Sequence, residues 1–294
     1  MSNLQAARAA KNDEFYTRLS DIAEEVQHYS KHLAGKIVYC PCDDPTWSKF
    51  YEYFKTKFAE LQLAKLVTTH YVAGSTSFMR EYDGSQEVDT QLTGDGDFRS
   101  DECKAILDQA DIVITNPPFS LFIPFVTMLE EKQKQFLIIG NMNVIACKDC
   151  FKLIKENKMW LGVSPRSMTF TKPDGSETQV NACWFTNLIH NKRNQPLNLH
   201  KIYSSSEYPK YDNYDAIEVS KVKDIPKDYH LTMGVPLTFL ERYCPSQFEI
   251  IGTQRWFYDT SLGITGGTIF VKGEPTYHRI FIKRIESPEK EEEE

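Results

Sequence analysis

An apolar run, Asp111-Ile112-Val113-Ile114-Thr115, leads straight into Asn116-Pro117-Pro118-Phe119. These residue types suit chemistry on an amino group attached to a planar, conjugated ring such as adenine. That amine is a weak nucleophile, because its lone pair is delocalised into the ring. A site improves it by accepting both N–H hydrogens, one on the Asn116 side-chain oxygen and one on the Pro117 carbonyl. Proline holds that carbonyl outward with a fixed φ and offers no competing N–H. Phe119 can lie on the face of the ring. The same residues also read as a strand-ending Pro-Pro turn with a buried Phe.

Such a turn needs a sheet to hold it. Ile37–Cys40, Leu66–Thr69, Asp111–Thr115 and Phe136–Asn141 read as buried strands. The pattern predicts helices over Asp21–Leu33, with Ser20 as N-cap, over Glu102–Ala110 and over Leu121–Lys132. A further helix from near Thr46 carries Phe50, Phe54 and Phe58 at core-facing spacing. Residues 74–100 read as a polar, Gly-containing loop with short strands near Phe78-Met79. Alternation of this kind predicts an α/β fold with a parallel sheet wrapped on both faces. Ligands in such sheets bind beyond the carboxyl ends of the strands. The loops after Cys40, at Asp97 and after Thr115 meet on that edge. Beyond residue 155 the pattern changes, with a hairpin predicted from Met168–Thr171 and Val180–Phe185 and late strands at Phe248–Gly252 and Arg279–Ile282.

With 294 residues and 41% hydrophobic content, there is room for one large α/β domain and an appended unit. No apolar run reaches the roughly 18 residues of a membrane span, and the first residues lack the apolar core of a secretory signal. Cys147-x-x-Cys150 and Cys40-x-Cys42 have no second pair at finger-like spacing, and the seven histidines show no ligand spacing. Reduced cysteines in an intracellular protein, with no metal, are expected. The net charge of −7 falls largely in residues 286–294, where six glutamates face one lysine. That tail reads as a solvated, disordered end. The remainder is near neutral, which leaves room for a basic face.

Seven blocks in order carry a resemblance. They are Lys11-Asn12-Asp13-Glu14-Phe15-Tyr16-Thr17, Cys42-Asp43-Asp44-Pro45, Gly96-Asp97-Phe98-Arg99, Asn116-Pro117-Pro118-Phe119-Ser120, Trp184-Phe185-Thr186-Asn187, Tyr208-Pro209-Lys210-Tyr211-Asp212-Asn213-Tyr214-Asp215 and Met233-Gly234-Val235-Pro236. Over roughly residues 10 to 284 the chain resembles the EcoRI-type adenine-specific DNA methyltransferases. The resemblance implies a Rossmann-like fold that uses S-adenosylmethionine to methylate the 6-amino group of adenine in double-stranded DNA. It divides the chain into a cofactor-binding and catalytic core over 1–155, remaining core strands and a mixed α+β target-recognition region over 156–285, and the tail. A restriction-modification setting implies a cognate endonuclease, not required for activity. The compartment would be cytoplasmic or nucleoid-associated in a bacterium and nuclear in a eukaryote, with no membrane partner.

The resemblance also assigns roles. Asn116, Pro117, Pro118 and Phe119 form the catalytic loop, with Phe119 stacked on a base extruded from the duplex. Lys11, Phe15, Tyr16 and Thr17 close over the methionine end of the cofactor. Cys42, Asp43 and Asp44 face its ribose or ammonium, although one of these acids equally reads as an N-cap before Thr46. Asp97 accepts from the cofactor's adenine amine, with Phe98 against that ring and Asn116 at the methyl end. Ser120, Trp184, Phe185, Lys192, Arg193, Lys210, Tyr211 and Asn213 are candidate substrate contacts, with Lys201, Tyr203 and Tyr208 in the same basic, aromatic stretch. The loop after the first strand, Pro41-Cys42-Asp43-Asp44-Pro45, lacks the glycines usual in methyltransferases. No acid follows Leu66–Thr69, where a ribose-binding carboxylate is expected. Asn-Pro-Pro-aromatic loops also suit RNA adenine or a protein glutamine amide, and a non-catalytic nucleic-acid-binding module is a further alternative.

Overall fold

Four buried runs become the parallel heart of an eight-stranded sheet. The computed structural model describes residues 16–164, 167–172, 175–256 and 267–285. Lys11, Phe15, the Pro173-Asp174 turn and the acidic tail lie outside them. The chain divides into two units, one of Met1–Cys150 with Lys158–His190 and one of Phe151–Asn157 with Asn191–Glu294.

In the first unit the strands are β1 (Tyr16–Thr17), β2 (Ile37–Cys40), β3 (Lys65–Thr68), β4 (Phe78–Tyr82), β5 (Glu87–Gln91), β6 (Ile112–Thr115), β7 (Gln135–Asn141), β8 (Trp160–Leu161), β9 (Met168–Thr171), β10 (Glu177–Val180) and β11 (Ala182–Thr186). The large sheet runs β5-β4-β3-β2-β6-β7-β11-β8. The inner strands β3, β2, β6 and β7 are parallel, while the strands on either side join antiparallel. The sheet is therefore mixed rather than wholly parallel. Part of the difference is the β4–β5 hairpin inside the stretch read as a loop. Its residues are exposed or half-buried throughout, so no apolar alternation marked it. Asp83 turns it by accepting from the backbone of Ser85 and Gln86, both at 2.8 Å.

Residues 158–190, within the stretch where the sequence pattern changes, belong to the first unit. The predicted hairpin is built differently: β9 pairs with β10 and with β1, while β11 enters the large sheet beside β7. Antiparallel strands accompany the altered pattern there.

Helix α1 spans Leu19–Val26 and is followed by a 3-10 turn and a short helix, Ser30–Leu33. Arg18, not Ser20, stands at its N-cap, with the guanidinium on Asp21 at 2.8 Å. Gly35, at φ +71°, closes the segment. Helix α2 (Lys49–Thr56) begins three residues later than Thr46 because Ser48 caps it, accepting from Phe50 N at 3.1 Å. Phe50 and Phe54 face the core from α2, and Phe58 joins them from the turn beyond it. Ser100 caps α3 (Asp101–Gln109), and α4 (Phe122–Glu131) follows a 3-10 turn at Phe119–Leu121. Burying each such aromatic or aliphatic side chain stabilises the fold by about 1.5–3 kcal/mol.

The second unit holds a sheet of β12 (Ile217–Glu218), β13 (Met233–Pro236), β17 (Arg279–Arg284) and β14 (Phe248–Thr253), and a two-stranded piece, β15 (Phe270–Val271) with β16 (Glu274–Pro275). A buried ion pair sits in this sheet. Arg279 Nη2 donates to Glu218 Oε1 at 2.6 Å, and the Tyr211 hydroxyl donates to the same carboxylate.

A single buried acid fastens α1 to the returning segment. Glu25 is fully buried and accepts from Tyr29 Oη at 2.7 Å, Val163 N at 2.8 Å and Ser164 N at 2.7 Å. Removing it leaves one buried and one half-buried backbone donor without this acceptor. Glu25→Ala is expected to cost about 2–4 kcal/mol in urea unfolding, with Glu25→Gln losing less.

Candidate active site

Strands β2 and β6 are neighbours, but the chain leaves β2 toward β3 and leaves β6 toward β7, on opposite sides. This is the switch point of the sheet, where the loops part and open a crevice. A cavity of about 820 Å³ lies there, within the roughly 300–1,000 Å³ range of small-molecule sites. Pro41, Cys42 and Asp44 line it from the loop after β2, and His70, Tyr71 and Val72 from the loop after β3. Asp95, Gly96, Asp97, Phe98 and Arg99 form one wall, and Asn116, Pro117 and Pro118 the wall after β6. A second cavity of about 440 Å³ shares Tyr16, Cys42, Trp47 and Asn116 with the first, and adds Thr17, Ser48, Phe50 and Thr171. Pairing of β1 with β9 places Tyr16 and Thr17 beside Thr171 and Phe170.

Three acids of the rim, Asp43, Asp44 and Asp97, differ in what they hold. Asp43 is 5% exposed, and both its oxygens are engaged within the protein. Ser48 Oγ donates to Oδ1 at 2.7 Å and Thr115 Oγ1 to Oδ2 at 2.5 Å. Burial pushes its pKa up to about 6, against the pull of those two hydroxyls. Asp44 takes the N-cap-like role: its Oδ1 accepts from Thr46 N at 2.9 Å and Thr46 Oγ1 at 2.7 Å. Its Oδ2 faces His70 Nε2 at 3.5 Å, and burial lowers the His70 pKa. Asp97 accepts from Arg99 Nε and from the Arg99 backbone N–H, at 2.9 and 2.8 Å, and this contact holds its carboxyl below the ordinary range. Burial pushes the Cys42 thiol well up, with the charge of Asp43 adding to it. Gly96 is required where it stands: at φ +78°, a Cβ would lie 2.0 Å from the His70 carbonyl.

Several expected contacts are not brought to this rim. Phe119 lines neither cavity; its ring meets Phe170 edge-on at 6.0 Å, because the 3-10 turn points it toward the core. Ser120 is half-buried in the same turn. Of the candidate substrate contacts, Trp184 and Phe185 are 1% and 0% exposed in β11, an interior strand covered on both faces, and take the core place usual for aromatics on a strand. Phe98 lines the larger cavity while packing against Phe125 at 4.9 Å. The remaining candidates belong to the second unit. Tyr211 is buried on Glu218, and Arg193 is half-buried with Nη2 on Asn157 Oδ1 at 2.5 Å. Asn213 holds a loop through Thr268 O at 3.0 Å. Lys192 and Lys210 are exposed.

Trp47, His70 and Tyr71 are rim residues that sequence reasoning missed. Trp47 is 49% exposed and packs on Tyr16 at 4.4 Å between ring centroids. An indole beside Asp43-Asp44-Pro45, ahead of the helix cap, was the available signal. His70 and Tyr71 occupy the position after β3 where a carboxylate was sought.

An α/β sheet with a donor-sized cavity at its switch point, edged by Asn116-Pro117-Pro118, defines a methyltransferase directed at a planar amine. The family model of the adenine-specific methyltransferase EcoRI matches residues 3–285. The Type II methyltransferase M.EcoRI of Escherichia coli is 42% identical over 318 residues, covering 95% of each chain. The Type II methyltransferase M.MpnI of Mycoplasma pneumoniae is 39% identical, covering 97% of this chain and 98% of its own. The Type II methyltransferase M.MgeORF184P of Mycoplasma genitalium is 38% identical, covering 97% and 99%. No solved structure matches the chain. The chain belongs to the EcoRI adenine-specific methyltransferase family.

The raised pKa of Asp43 has a measurable consequence. A carboxyl near 6 in the folded chain and about 3.9 when unfolded binds its proton more tightly when folded. This group's contribution therefore grows as pH falls from about 7 toward 4, and its charged form is destabilising above about pH 6. Urea unfolding of the native chain and Asp43→Asn should show the native chain gaining about 2 kcal/mol on the variant between pH 7.5 and 4.5.

Proposed function

We propose that this enzyme transfers a methyl group from S-adenosylmethionine to the 6-amino nitrogen of an adenine extruded from a specific sequence of duplex DNA. The observation that carries the reading is that Asn116 lines both cavities and stands where they meet. The adenosyl part of the donor fits the larger cavity, and its methionine part the smaller. Asn116, Cys42, Tyr16 and Trp47, which line both cavities, would hold the part of the donor that joins them. The donor set agrees with this fit: carboxylates of Asp44 and Asp97 face one end, and Phe98 offers an apolar wall to a purine. At the other end, the Thr17 hydroxyl is buried with no hydrogen-bond partner among the described residues. The fold is Rossmann-like in this reading, with β3-β2-β6-β7 as its parallel core.

The bound cofactor supplies an electrophilic methyl group. The chain supplies alignment and polarisation. The Asn116 side-chain oxygen and the Pro117 carbonyl accept the two amine hydrogens, which frees the nitrogen lone pair for attack. The residues lining the two cavities would hold the donor, which would supply its methyl group to the amine, and the amine's surplus proton would leave to water. Exposed Trp47 and half-buried Tyr16 are the aromatic surface at that junction, and we assign them the stacking role expected of Phe119. The second unit carries target recognition, through exposed lysines that include Lys192 and Lys210. The Type II relatives support a restriction-modification role inside the cell, with a cognate endonuclease as cellular partner. Among the described residues, no helix is long and apolar enough to cross a membrane.

Base-modification sequencing of an unmethylated plasmid, incubated with the protein and S-adenosylmethionine, tests the reading. The native chain should leave methyladenine at one recurring short sequence. Asn116→Ala should lower the transfer rate at least about 100-fold, on the scale of losing one polarising group, with an unchanged melting temperature. Retained transfer in that variant overturns the assigned mechanism, and equal labelling of RNA overturns the substrate.

A further inference from the structure

We infer that Asp43 is a positioning residue for methyl transfer, holding the strand end that carries Asn116 against the loop that lines the donor site. The inference rests on the adenine-methyltransferase reading and gives Asp43, which lines the smaller cavity, a part played through Thr115, which lines neither.

The geometry is specific. Strands β2 and β6 pair at Val38 with Ile112 and at Tyr39 with Val113, and the backbone ladder extends no further. Beyond it the two chains separate toward opposite sides of the sheet, which is what opens the crevice. Thr115 is the last residue of β6 and directly precedes Asn116. At that position a side-chain bridge replaces the ladder: Thr115 Oγ1 donates to Asp43 Oδ2 at 2.5 Å across the switch point. Ser48 Oγ donates to the other oxygen at 2.7 Å, and Ser48 caps α2. The Asp43 backbone N–H donates to Thr69 O at 3.0 Å, just beyond β3. One carboxylate group and its own amide thus join the ends of β2, β3 and β6 to the start of α2.

Asp43 and Thr115 are 5% and 0% exposed. A carboxylate buried this deeply is costly to keep, and this one is held at both oxygens by hydroxyls. Both Asp43 oxygens are occupied, so its reach toward substrate is indirect. It acts through Thr115 on the backbone of Asn116. The acceptors of a conjugated amine must meet its two hydrogens in the ring plane, where a misplacement of about 1 Å can cost on the order of 100-fold in rate.

The test uses the full chain with Thr115→Val, Thr115→Ser and Thr115→Cys. Two quantities are read: the single-turnover rate of plasmid adenine methylation at saturating S-adenosylmethionine, and the calorimetric Kd of sinefungin, an unreactive donor analogue. Valine keeps the shape and removes the hydroxyl. It should slow transfer about 10- to 100-fold while analogue affinity changes less than about threefold. Serine should restore the native rate. Cysteine, a weak donor of similar size, should fall between them, and it decides the matter if the valine variant does not fold. Native rates in both valine and cysteine variants overturn the inference. So does a serine variant as slow as valine, or a loss of analogue affinity that matches the loss of rate. A native chain that binds sinefungin but leaves the plasmid unmodified overturns instead the functional reading beneath it.

Discussion

Strands Ile37–Cys40 and Ile112–Thr115 are hydrogen-bonded neighbours whose following connections leave in opposite directions along the sheet. The crevice exists because the backbone pairing that holds them stops before their ends. It places the loops after β2, β3 and β6 around one volume, with Asn116 at the edge where two cavities join. Both strands and the helices on them can be buried and conventional, since the chemistry is confined to what lies past their carboxyl ends. Phe50, Phe54 and Trp184 fill the core on one side of that arrangement. Their contribution to function is to fix where the strands end.

The acids of the rim show one residue type in three states of employment. Asp43 is enclosed, bonded to two hydroxyls, and its carboxyl titrates high. Asp97 is partly open and forked onto Arg99, so it titrates low and stays charged. Asp44 closes a turn through Thr46 and leaves its second oxygen toward His70. Neighbouring carboxyls in sequence therefore have opposite environments, set by which side of a tight loop each one faces. A loop without glycine can build this, because Pro41 and Pro45 fix its course and Asp43 fastens it from within.

Much of this was written in local sequence. Four inner strands declared themselves as apolar runs, and the Asn-Pro-Pro turn announced a site at the end of one of them. The meeting of Cys42, Asp44, Asp97 and Asn116 on one rim followed from strand–helix alternation alone. What local sequence did not carry was facing. Asp43 and Asp44 are adjacent and chemically identical, and only the packed loop decides that one turns inward. Phe119 and Trp47 differ for the same reason: Phe119 packs against Phe170, and Trp47 stands exposed at the cavities. The β4–β5 hairpin was hidden because neither of its faces is buried, so it lacks the apolar alternation that marks a half-buried strand.

The second unit carries the same lesson into recognition. Its Tyr-, Lys- and Asn-rich stretch has the composition of a nucleic-acid-reading loop, yet Tyr208, Tyr211 and Tyr214 are each about 5% exposed. Tyr211 closes the network of Glu218 and Arg279, and Tyr214 stacks on Phe281 at 5.2 Å. Aromatic residues in this stretch build the platform. The lysines remain at the surface, Lys201 at 3.8 Å from Glu207 and Lys210 at 3.3 Å from Asp215. Exposed pairs of this kind contribute little to stability, about 0–1 kcal/mol. These lysines are thus side chains that the fold does not need, while Tyr208, Tyr211 and Tyr214 are ones it cannot release.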